Sequence, residues 1–586
     1  MTQPQTQPRR RFTLPFVALA VLALGHPPLA VAASAKHRAA HAATHRATPA
    51  PAPAPSGPPK LLVAVSIDQF SADLFAQYRQ HFTGGFARLL QGAVYPSAFQ
   101  SHAATETCPG HSTLLTGVHP ARSGIIANTW YDLTQARADK RVYCAEDEKD
   151  PNSTPSVPVV SAGHLRVPTL GERMKATWPD SRNVAVSAKD RAVVMMGGHQ
   201  IDAAYWWVGR GFSTFSGRDL SEAALAENAA MIALVAKGAP ALPVPAWCMA
   251  RARKVAAAPL LSEQALVGPV EVGANRFTVQ VDDGDSIRVS PRVDAATLDL
   301  ATRLVSELKL GKRAAPDMLS VSLSATDYIG HAYGTEGVEM CTQMAQLDQA
   351  LGAFFARLDA QGLDYAVVLS ADHGGFDMPE RLDQQGLPQA HRADPALMPA
   401  ALSQAIGAAL GLADKGQLVY GEGPFGEYYV SHDLPQDTRS KVVAELTARL
   451  KAHADVAAVF TRAELAAPPP VGNPQDWTLL ERARASYDAE RSGDVVSLLK
   501  RAVVPIPMVR QGYTATHGSP WDYDRRVPLL FWRRGVAGLE QPAPVETVDI
   551  APTLAALIGL KVPAGAFDGR CLDIDGGPGD SCGAKR

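Results

Sequence analysis

Three apolar segments of the sequence each lead to an aspartate. The segments are KLLVAVSID, DMLSVSLSATD and DYAVVLSADHG, and they carry Asp68, Asp327 and Asp372 at or near their ends. A single aspartate after a strand is usually a turn former or a helix cap. Three carboxylates gathered at one edge of a sheet would repel one another unless a cation held them together. Three aspartates at the ends of apolar segments therefore indicate a cation site.

Histidines accompany these aspartates. His331 follows Asp327 by four residues in DYIGHAYG, His373 adjoins Asp372, and His517 stands in the glycine-flanked segment TATHGSP. Carboxylate and imidazole ligands without thiolates suit Zn²⁺. The candidates outnumber the ligands of one tetrahedral ion, and two ions about 3.5–4 Å apart are a recurring device for in-line phosphoryl transfer. These residue types predict two Zn²⁺ per chain.

Another candidate group lies in ATETCPGHSTLLTG, which runs from Ala104 to Gly117. The Pro-Gly pair followed by HSTLLTG is typical of a helix start, and Thr105 and Thr107 stand where a capping residue would stand. Each hydroxyl could cap the helix or act as a nucleophile, for which it needs activation by a metal or a base. Taken alone, the position favours capping.

These side chains need a scaffold that brings them together. The Val- and Leu-rich segments suit strands buried on both faces, as in a parallel sheet. Helical periodicity lies between them, for example in EMCTQMAQLDQALGAFFARLDAQG from Glu339. We expect an α/β fold, a doubly wound and mostly parallel sheet sandwiched by helices, with ligands beyond the carboxyl ends of the strands. YWWVGRGFSTFSG and LVYGEGPFGEYYV are interpreted as parts of insertions, at approximately residues 200–300 and 410–510, that wall the active site.

Length and charge limit the function only broadly. The chain has 586 residues, 46% of them hydrophobic, which is enough for a large core. No internal repeat is visible. The formal charge of −2 gives no reason to expect nucleic acid or an anionic membrane as a partner. We expect one catalytic domain over residues 60–586, acting as a monomer on small molecules.

The N-terminal segment is typical of an export signal. Three arginines at positions 9–11 precede FTLPFVALAVLALG and then LAVAASA, which together resemble a secretory signal peptide over residues 1–35. An uncleaved membrane anchor is the alternative, although the apolar run is short for a span of about 20 residues. Residues 36–59 are rich in alanine and proline and predict an extended linker. The protein is thus expected to be periplasmic or secreted, with no stable membrane insertion after signal removal.

Six cysteines fit this compartment, because an exported chain can form disulfides. Cys571 and Cys582 flank a Gly/Pro/Asp-rich loop and are the easiest pair to close. The partners of the other four stay open at this stage: Cys108, Cys144, Cys248 and Cys341.

Eight motifs in order make the chain resemble the alkaline phosphatase superfamily. They are SIDQF, TETCPGH, GIIANTWYD, SAKDR, TDYIGHAYG, SADHGG, TATHGSP and VETVDIAPTLAALIGL, and they extend over roughly residues 59–580. The resemblance is strongest to the phosphate-irrepressible alkaline phosphatases, which are related to the nucleotide pyrophosphatase/phosphodiesterases.

The resemblance implies a role for each candidate. Thr107 corresponds to the nucleophile, so that it is expected both to cap the helix and to attack phosphorus; Cys108 takes the place of the family's usual aromatic residue. His111 is expected only to hydrogen-bond within this loop. The resemblance implies a first zinc on Asp327, His331 and His517, and a second zinc on Asp68, Asp372, His373 and the Thr107 oxygen.

Three further positions bear on the substrate. Asn128, Lys189 and Arg191 match residues that contact non-bridging phosphate oxygens in the phosphomonoesterase branch. A monoester dianion carries an extra charge that two cationic side chains favour. The resemblance implies hydrolysis of phosphate monoesters through a phosphothreonine. The alternatives are a phosphodiesterase or nucleotide pyrophosphatase, or an inactive zinc- or phosphate-binding protein. Lys189 and Arg191 could also form only an exposed basic turn.

Overall fold

A computed structural model describes residues 57–257, 269–468 and 472–583. The predicted signal peptide and nearly all of the predicted linker lie outside these residues. Within the described ranges, no helix is both long and apolar enough to span a bilayer.

The strands of the described chain are short to medium in length. In chain order they are β1 (Leu61–Ile67), β2 (Ala93–Phe99), β3 (Thr129–Tyr131), β4 (Arg141–Tyr143), β5 (Asn183–Ser187), β6 (Ala203–Val208), β7 (Gly211–Ser213), β8 (Val255–Ala257), β9 (Val270–Val272), β10 (Asp317–Leu323), β11 (Tyr365–Ser370), β12 (His391–Arg392), β13 (Val419–Tyr420), β14 (Gly426–Val430), β15 (Val456–Thr461), β16 (Val495–Leu499), β17 (Val503–Val504), β18 (Arg526–Arg533) and β19 (Leu539–Glu540).

The α-helices alternate with the strands along much of the chain. They are α1 (Ala72–Tyr78), α2 (Gly85–Leu89), α3 (Thr107–Thr116), α4 (Pro120–Ser123), α5 (Leu170–Thr177), α6 (Asp190–Gly197), α7 (Glu222–Lys237), α8 (Asp285–Arg288), α9 (Pro291–Glu307), α10 (Ala325–Tyr333), α11 (Val338–Ala360), α12 (Pro379–Gln384), α13 (Pro399–Leu410), α14 (Gln436–Ala452), α15 (Arg462–Leu465), α16 (Leu479–Arg484), α17 (Asp522–Arg525) and α18 (Ile550–Leu557).

One large sheet organises the molecule. Its described strands follow the order β19-β2-β18-β11-β1-β10-β5-β6-β7. The pairings place β18 and β7 antiparallel to the rest, so the sheet is mostly parallel. Every residue of β1, β10 and β11 is buried, which requires cover on both faces. Helices α2, α7, α9, α10 and α11 pack in one group and α3, α5, α6 and α18 in another. The predicted α/β fold is confirmed.

The register of the central strands aligns their carboxyl ends. Ser66 of β1 lies opposite Ser370 of β11, so that Asp68 and Asp372 leave the sheet at the same edge. The sequence predicts a strand that reaches Asp327, but β10 ends at Leu323 and Asp327 lies in the first turn of α10. The correction matters for the site, because a helix places residues four apart on one face.

A smaller antiparallel sheet, β13-β14-β16-β15, interrupts the chain between β11 and β18. It has its own core, to which Ile406 of α13 and Leu446 of α14 contribute. LVYGEGPFGEYYV forms β13 and β14 of this sheet. YWWVGRGFSTFSG forms the β6–β7 hairpin at one end of the large sheet instead.

Three disulfides are present in the described chain. Cys571 pairs with Cys582, as predicted. The remaining cysteines pair Cys108 with Cys144 and Cys248 with Cys341.

Candidate active site

The candidate nucleophile stands at the start of a buried helix. Thr107 is the first residue of α3, and Glu106 is the N-cap residue, with no capping side-chain hydrogen bond among the described residues. The prediction that a threonine caps this helix is therefore wrong. Glu106 Oε2 instead accepts a hydrogen bond from the backbone amide of Asn128 at 2.7 Å. The Thr105 hydroxyl donates to the Ser519 carbonyl at 2.7 Å.

Close packing fixes α3 against the end of β11. A Cβ built on Gly110 would lie 1.9 Å from the Asp372 carbonyl oxygen, so only glycine allows this approach. The next residue, His111, places Nδ1 2.9 Å from the Thr107 carbonyl oxygen and 3.0 Å from Asp372 Oδ2. The expected loop contact of His111 is present, and the carboxylate contact is an addition that the sequence did not indicate. The two interactions set Thr107 at a defined distance from Asp372.

Three buried carboxylates face one another beside this helix. Asp68 and Asp372 have no exposed surface and Asp327 is 2% exposed. Within the described residues, no hydrogen bond of regular geometry reaches either oxygen of Asp68, Oδ1 of Asp327 or Oδ2 of Asp372, although Lys189 Nζ lies 2.5 Å from Asp68 Oδ2 and His111 Nδ1 lies 3.0 Å from Asp372 Oδ2. Burial and the neighbouring Asp372 raise the pKa of Asp68 well above its usual value. Burial opposes ionisation of Asp327 too, but His331 and Lys189 hold its pKa well below the usual range.

The three predicted histidine ligands share one orientation. Each Nδ1 contacts a backbone carbonyl, at 2.9 Å for His331, 2.8 Å for His373 and 2.7 Å for His517. A carbonyl oxygen only accepts hydrogen bonds, so each Nδ1 carries a proton, and in the neutral ring Nε2 is the nitrogen with the lone pair. These Nε2 atoms lie 3.2–3.4 Å from carboxylate oxygens. Burial also lowers the pKa of His373, to about 3, and keeps its ring neutral.

This donor set fits metal ions. Neutral Nε2 atoms beside carboxylate oxygens repel one another unless a cation lies between them, and an Nδ1–carbonyl bond is the usual support of a metal-binding histidine. Among the residues that the structure describes, two groups have ligand atoms mutually within 4.8 Å: Asp68, Asp372 and His373, and Asp327, His373 and His517. His373 thus belongs to both groups. His331 is in neither, although its Nε2 lies 3.2 Å from Asp327 Oδ1.

Two cations flank the Thr107 hydroxyl. Lys189 Nζ lies 3.5 Å from Thr107 Oγ1 and Arg191 Nη2 lies 3.4 Å from it. Lys189 is 3% exposed, and its Nζ forms ion pairs with Asp68, at 2.5 Å, and with Asp327. Burial alone would lower the pKa of Lys189, but Asp327 and Asp68 raise it and keep the side chain charged. The pair is therefore not an exposed basic turn.

Asn128 is held at the N-terminus of α3 by several bonds. Its Oδ1 accepts from the Cys108 amide at 2.8 Å, and its carbonyl accepts from the Cys144 amide at 2.9 Å. The Cys108–Cys144 disulfide joins the same two segments. Because Oδ1 is occupied, the Asn128 Nδ2 group remains available to donate to an anion. The sequence did not indicate that Glu106 and Cys144 support Asn128. The glutamate of TETCPGH was the signal that could have pointed to the first of these two contacts.

A cavity of about 980 Å³ opens beside these residues. Asn128, Arg191, His331 and His517 line its polar side. The segment LVYGEGPFGEYYV contributes Phe425 to the wall, as the sequence predicted for this insertion. None of the described residues of YWWVGRGFSTFSG lines this cavity, because they lie at the β6–β7 end of the sheet.

Comparisons with known proteins agree with this arrangement. A family model described as type I phosphodiesterase / nucleotide pyrophosphatase matches residues 62–520. Alkaline phosphatase PhoK of Sphingomonas sp is 49% identical over 90% of this chain and 93% of its own length. Alkaline phosphatase PhoD of Zymomonas mobilis is 46% identical over 90% of both chains. The crystal structure of alkaline phosphatase PafA superposes with a TM-score of 0.74 at 26% identity, covering 88% of this chain and 99% of that chain.

The family match spans most of the described chain and includes the candidate nucleophile, the phosphate-binding positions and all of the proposed metal ligands. On the strength of this match and of its relatives, the chain belongs to the type I phosphodiesterase / nucleotide pyrophosphatase family, within the alkaline phosphatase superfamily.

Proposed function

We propose that this protein is an exported phosphomonoesterase, an alkaline phosphatase with two zinc ions and a threonine nucleophile. The observation that carries the proposal is the position of Lys189 and Arg191, whose nitrogens lie 3.4–3.5 Å from Thr107 Oγ1. A phosphate monoester brings two negative charges to this point, and two fixed cations match them. The names of the relatives, alkaline phosphatases at 46–49% identity, agree with a monoester substrate.

The residues of the chain perform the reaction in two displacements. Asn128 Nδ2, Lys189 and Arg191 hold the non-bridging oxygens and orient phosphorus toward Thr107 Oγ1. The Thr107 hydroxyl loses its proton, a bond forms between Oγ1 and phosphorus while the bond to the leaving oxygen breaks, and the leaving alkoxide takes up a proton to become the released alcohol. Water then cleaves the phosphothreonine, which yields inorganic phosphate and restores the hydroxyl. The N-terminus of α3 favours the anion throughout, because the positive end of the helix dipole lies at Thr107, the first residue of the helix.

The metal ligands of the proposal are Asp68, Asp372, His373 and Thr107 for one ion and Asp327, His331 and His517 for the other. When bound, zinc ions would neutralise the buried carboxylates and lower the pKa of a hydroxyl or a water molecule. The chain's own contribution is to fix the orientation and the tautomer of the three rings, through the Nδ1–carbonyl bonds described above, so that Nε2 faces the carboxylates.

Metal analysis tests the cofactor. After mild dialysis we expect about two zinc ions per chain, loss of turnover on chelation and recovery on adding zinc. Asp327→Ala should empty one site while the other stays partly occupied. Fully active protein with almost no bound metal would contradict the proposal.

A comparison of phosphate esters tests the reaction. The family description names phosphodiesterases, which makes diester hydrolysis the second candidate. The proposal expects a higher kcat/KM for a phosphate monoester than for the matching diester. The opposite preference would favour the second candidate, and cleavage of neither ester by the zinc-loaded protein would favour a non-catalytic binding protein.

Export is tested by N-terminal sequencing of protein recovered from the periplasm or the medium. We expect a mature N-terminus just after the small residues at positions 33–35. Recovery of the intact N-terminus in the membrane fraction would support the anchor instead.

A further inference from the structure

The cavity beside the nucleophile is far larger than a phosphoryl group needs. Its volume of about 980 Å³ lies at the upper end of the range of roughly 300–1,000 Å³ for sites that enclose drug-sized ligands. Of the proposed phosphoryl contacts, Asn128 and Arg191 line this cavity. The remaining volume is therefore available to the alcohol portion of a substrate.

Most of the remaining lining of the cavity is apolar, although Glu422, Arg510 and Gln511 also line it. Phe425 enters it from the loop before β14, and a second loop contributes Ile506, Met508, Val509 and Tyr513. Met508 is 59% exposed, so its side chain is accessible to a ligand in the cavity. These five residues form what we term the apolar wall.

Two aromatic rings of the apolar wall stand next to the metal ligands. A Cβ built on Gly518 would lie 3.1 Å from Phe425 Cζ, so the Phe425 ring lies against the backbone beside His517. The ring of Tyr513 has its centroid 5.0 Å from that of His331. The Tyr513 hydroxyl contacts Thr516 Oγ1 at 3.2 Å, which holds the ring in place. A leaving group attached to a phosphoryl group at Thr107 would therefore lie near these two aromatic rings.

We propose that the apolar wall binds the leaving group, and that the preferred substrates are monoesters of uncharged aromatic or apolar alcohols. Burial of an aromatic ring against other rings is favourable both through the area removed from water and through ring contacts. This inference rests on the proposed function and adds a substrate class to it. The insertion between β11 and β18 supplies Phe425, so specificity resides in a segment outside the large sheet.

The test uses two esters that differ mainly in the ring. 2-Phenylethyl phosphate and ethyl phosphate have leaving alcohols of similar basicity, so a difference in kcat/KM reports binding of the ring. For the zinc-loaded protein we expect a phenylethyl-to-ethyl ratio of about 10 or more. Phe425→Ala and Met508→Ala should each reduce that ratio several-fold. Val281→Ala, which removes an apolar side chain that is 63% exposed and does not line the cavity, should leave the ratio unchanged.

Binding gives a second readout that does not depend on turnover. Calorimetry should give 2-phenylethylphosphonate a Kd about 10-fold lower than ethylphosphonate, with the difference reduced in Phe425→Ala. Equal kcat/KM and equal Kd for the two members of each pair would overturn the proposed subsite. A ring preference that persists in both wall variants would overturn its assignment to these residues. Hydrolysis of neither ester would overturn the proposed function itself, and the phosphonate pair would then decide whether the apolar wall binds rings.

Discussion

At the scale of single residues, Thr107→Ala tests the nucleophile. We expect kcat/KM for a monoester to fall by about a thousandfold or more, because the covalent route is lost. The free energy of unfolding should change by no more than about 1 kcal/mol, since the hydroxyl does not cap α3 and has only long contacts to Lys189 and Arg191. Enzyme assays and urea unfolding measure the two effects.

Thr105→Ala is the matched control. It removes the hydrogen bond to Ser519 and should lower stability by about 1 kcal/mol while most activity remains. Acid trapping of a phosphoenzyme should label Thr107. Label on Thr105 would contradict the assigned nucleophile.

Lys189 and Arg191 decide between monoesters and diesters in the proposed site. A charge-assisted hydrogen bond in a partly dry site contributes about 1.5–3 kcal/mol, so each alanine substitution should lower monoester kcat/KM about 10- to 100-fold. Diester hydrolysis should change much less, because a diester lacks the second charge. The measurement is the monoester-to-diester ratio in the parent and the double variant. An equal loss on both substrates would mean that these residues only hold the loop.

Arg191→Lys should restore little of the monoester kcat/KM that Arg191→Ala loses, since an ammonium group cannot reproduce the guanidinium fork.

At the scale of elements, one disulfide joins α3, which begins at the candidate nucleophile, to the β3–β4 hairpin that directly follows Asn128. Cys108 is the second residue of α3, and Cys144 directly follows β4, whose partner β3 begins after Asn128. We expect the double variant Cys108→Ala/Cys144→Ala to lose roughly 3 kcal/mol of stability and, in addition, about 10-fold in monoester kcat/KM, because Asn128 is no longer fixed relative to Thr107.

The disulfide between Cys571 and Cys582 provides the control, since it closes a C-terminal loop of sequence separation 11. Its removal should lower the melting temperature without lowering kcat/KM at 25 °C. Unchanged kcat/KM in the Cys108/Cys144 variant would show that this bridge stabilises the chain without positioning Asn128.

At the scale of the whole molecule, His119 joins segments that are far apart in sequence. Its two ring nitrogens lie 3.0 Å from Glu546 and 3.3 Å from Asp568, and the residue is 7% exposed. Arg122 pairs with Asp568 in the same cluster. Burial alone would lower the pKa of His119, but the hydrogen bonds to Asp568 and Glu546 raise it to about 9.

This raised pKa predicts a loss of stability at alkaline pH. Because the folded pKa exceeds the unfolded value of about 6.5, the contribution is complete below that pH and is lost as the pH rises through about 9. Its size is on the order of 2–3 kcal/mol. Urea unfolding at pH 7 and pH 10 should show a smaller difference for His119→Gln than for the parent. The same difference in both proteins would contradict the prediction.

The sequence by itself determined the elements and the chemistry of their ends. Runs of Val and Leu such as KLLVAVSID form strands because their side chains suit burial on both faces, and this preference is local. The polar residues that follow these strands meet at one edge because parallel strands share a direction. For this reason Asp68, Asp372 and His373 lie together, as predicted, whereas His331 of α10 and His517 of a separate loop do not follow these strands.

Only the tertiary structure decided which groups support these residues and how they are held. Three such contacts join segments that are distant in sequence. The Glu106 side chain accepts a hydrogen bond from the Asn128 backbone amide, His111 reaches Asp372, and Cys108 pairs with Cys144. The apolar wall is a further example, because Phe425 and Tyr513 come from separate loops that face one cavity. The hydrophobic periodicity of a segment indicates which of its own side chains are buried. The residues that those side chains contact depend on how the entire chain packs.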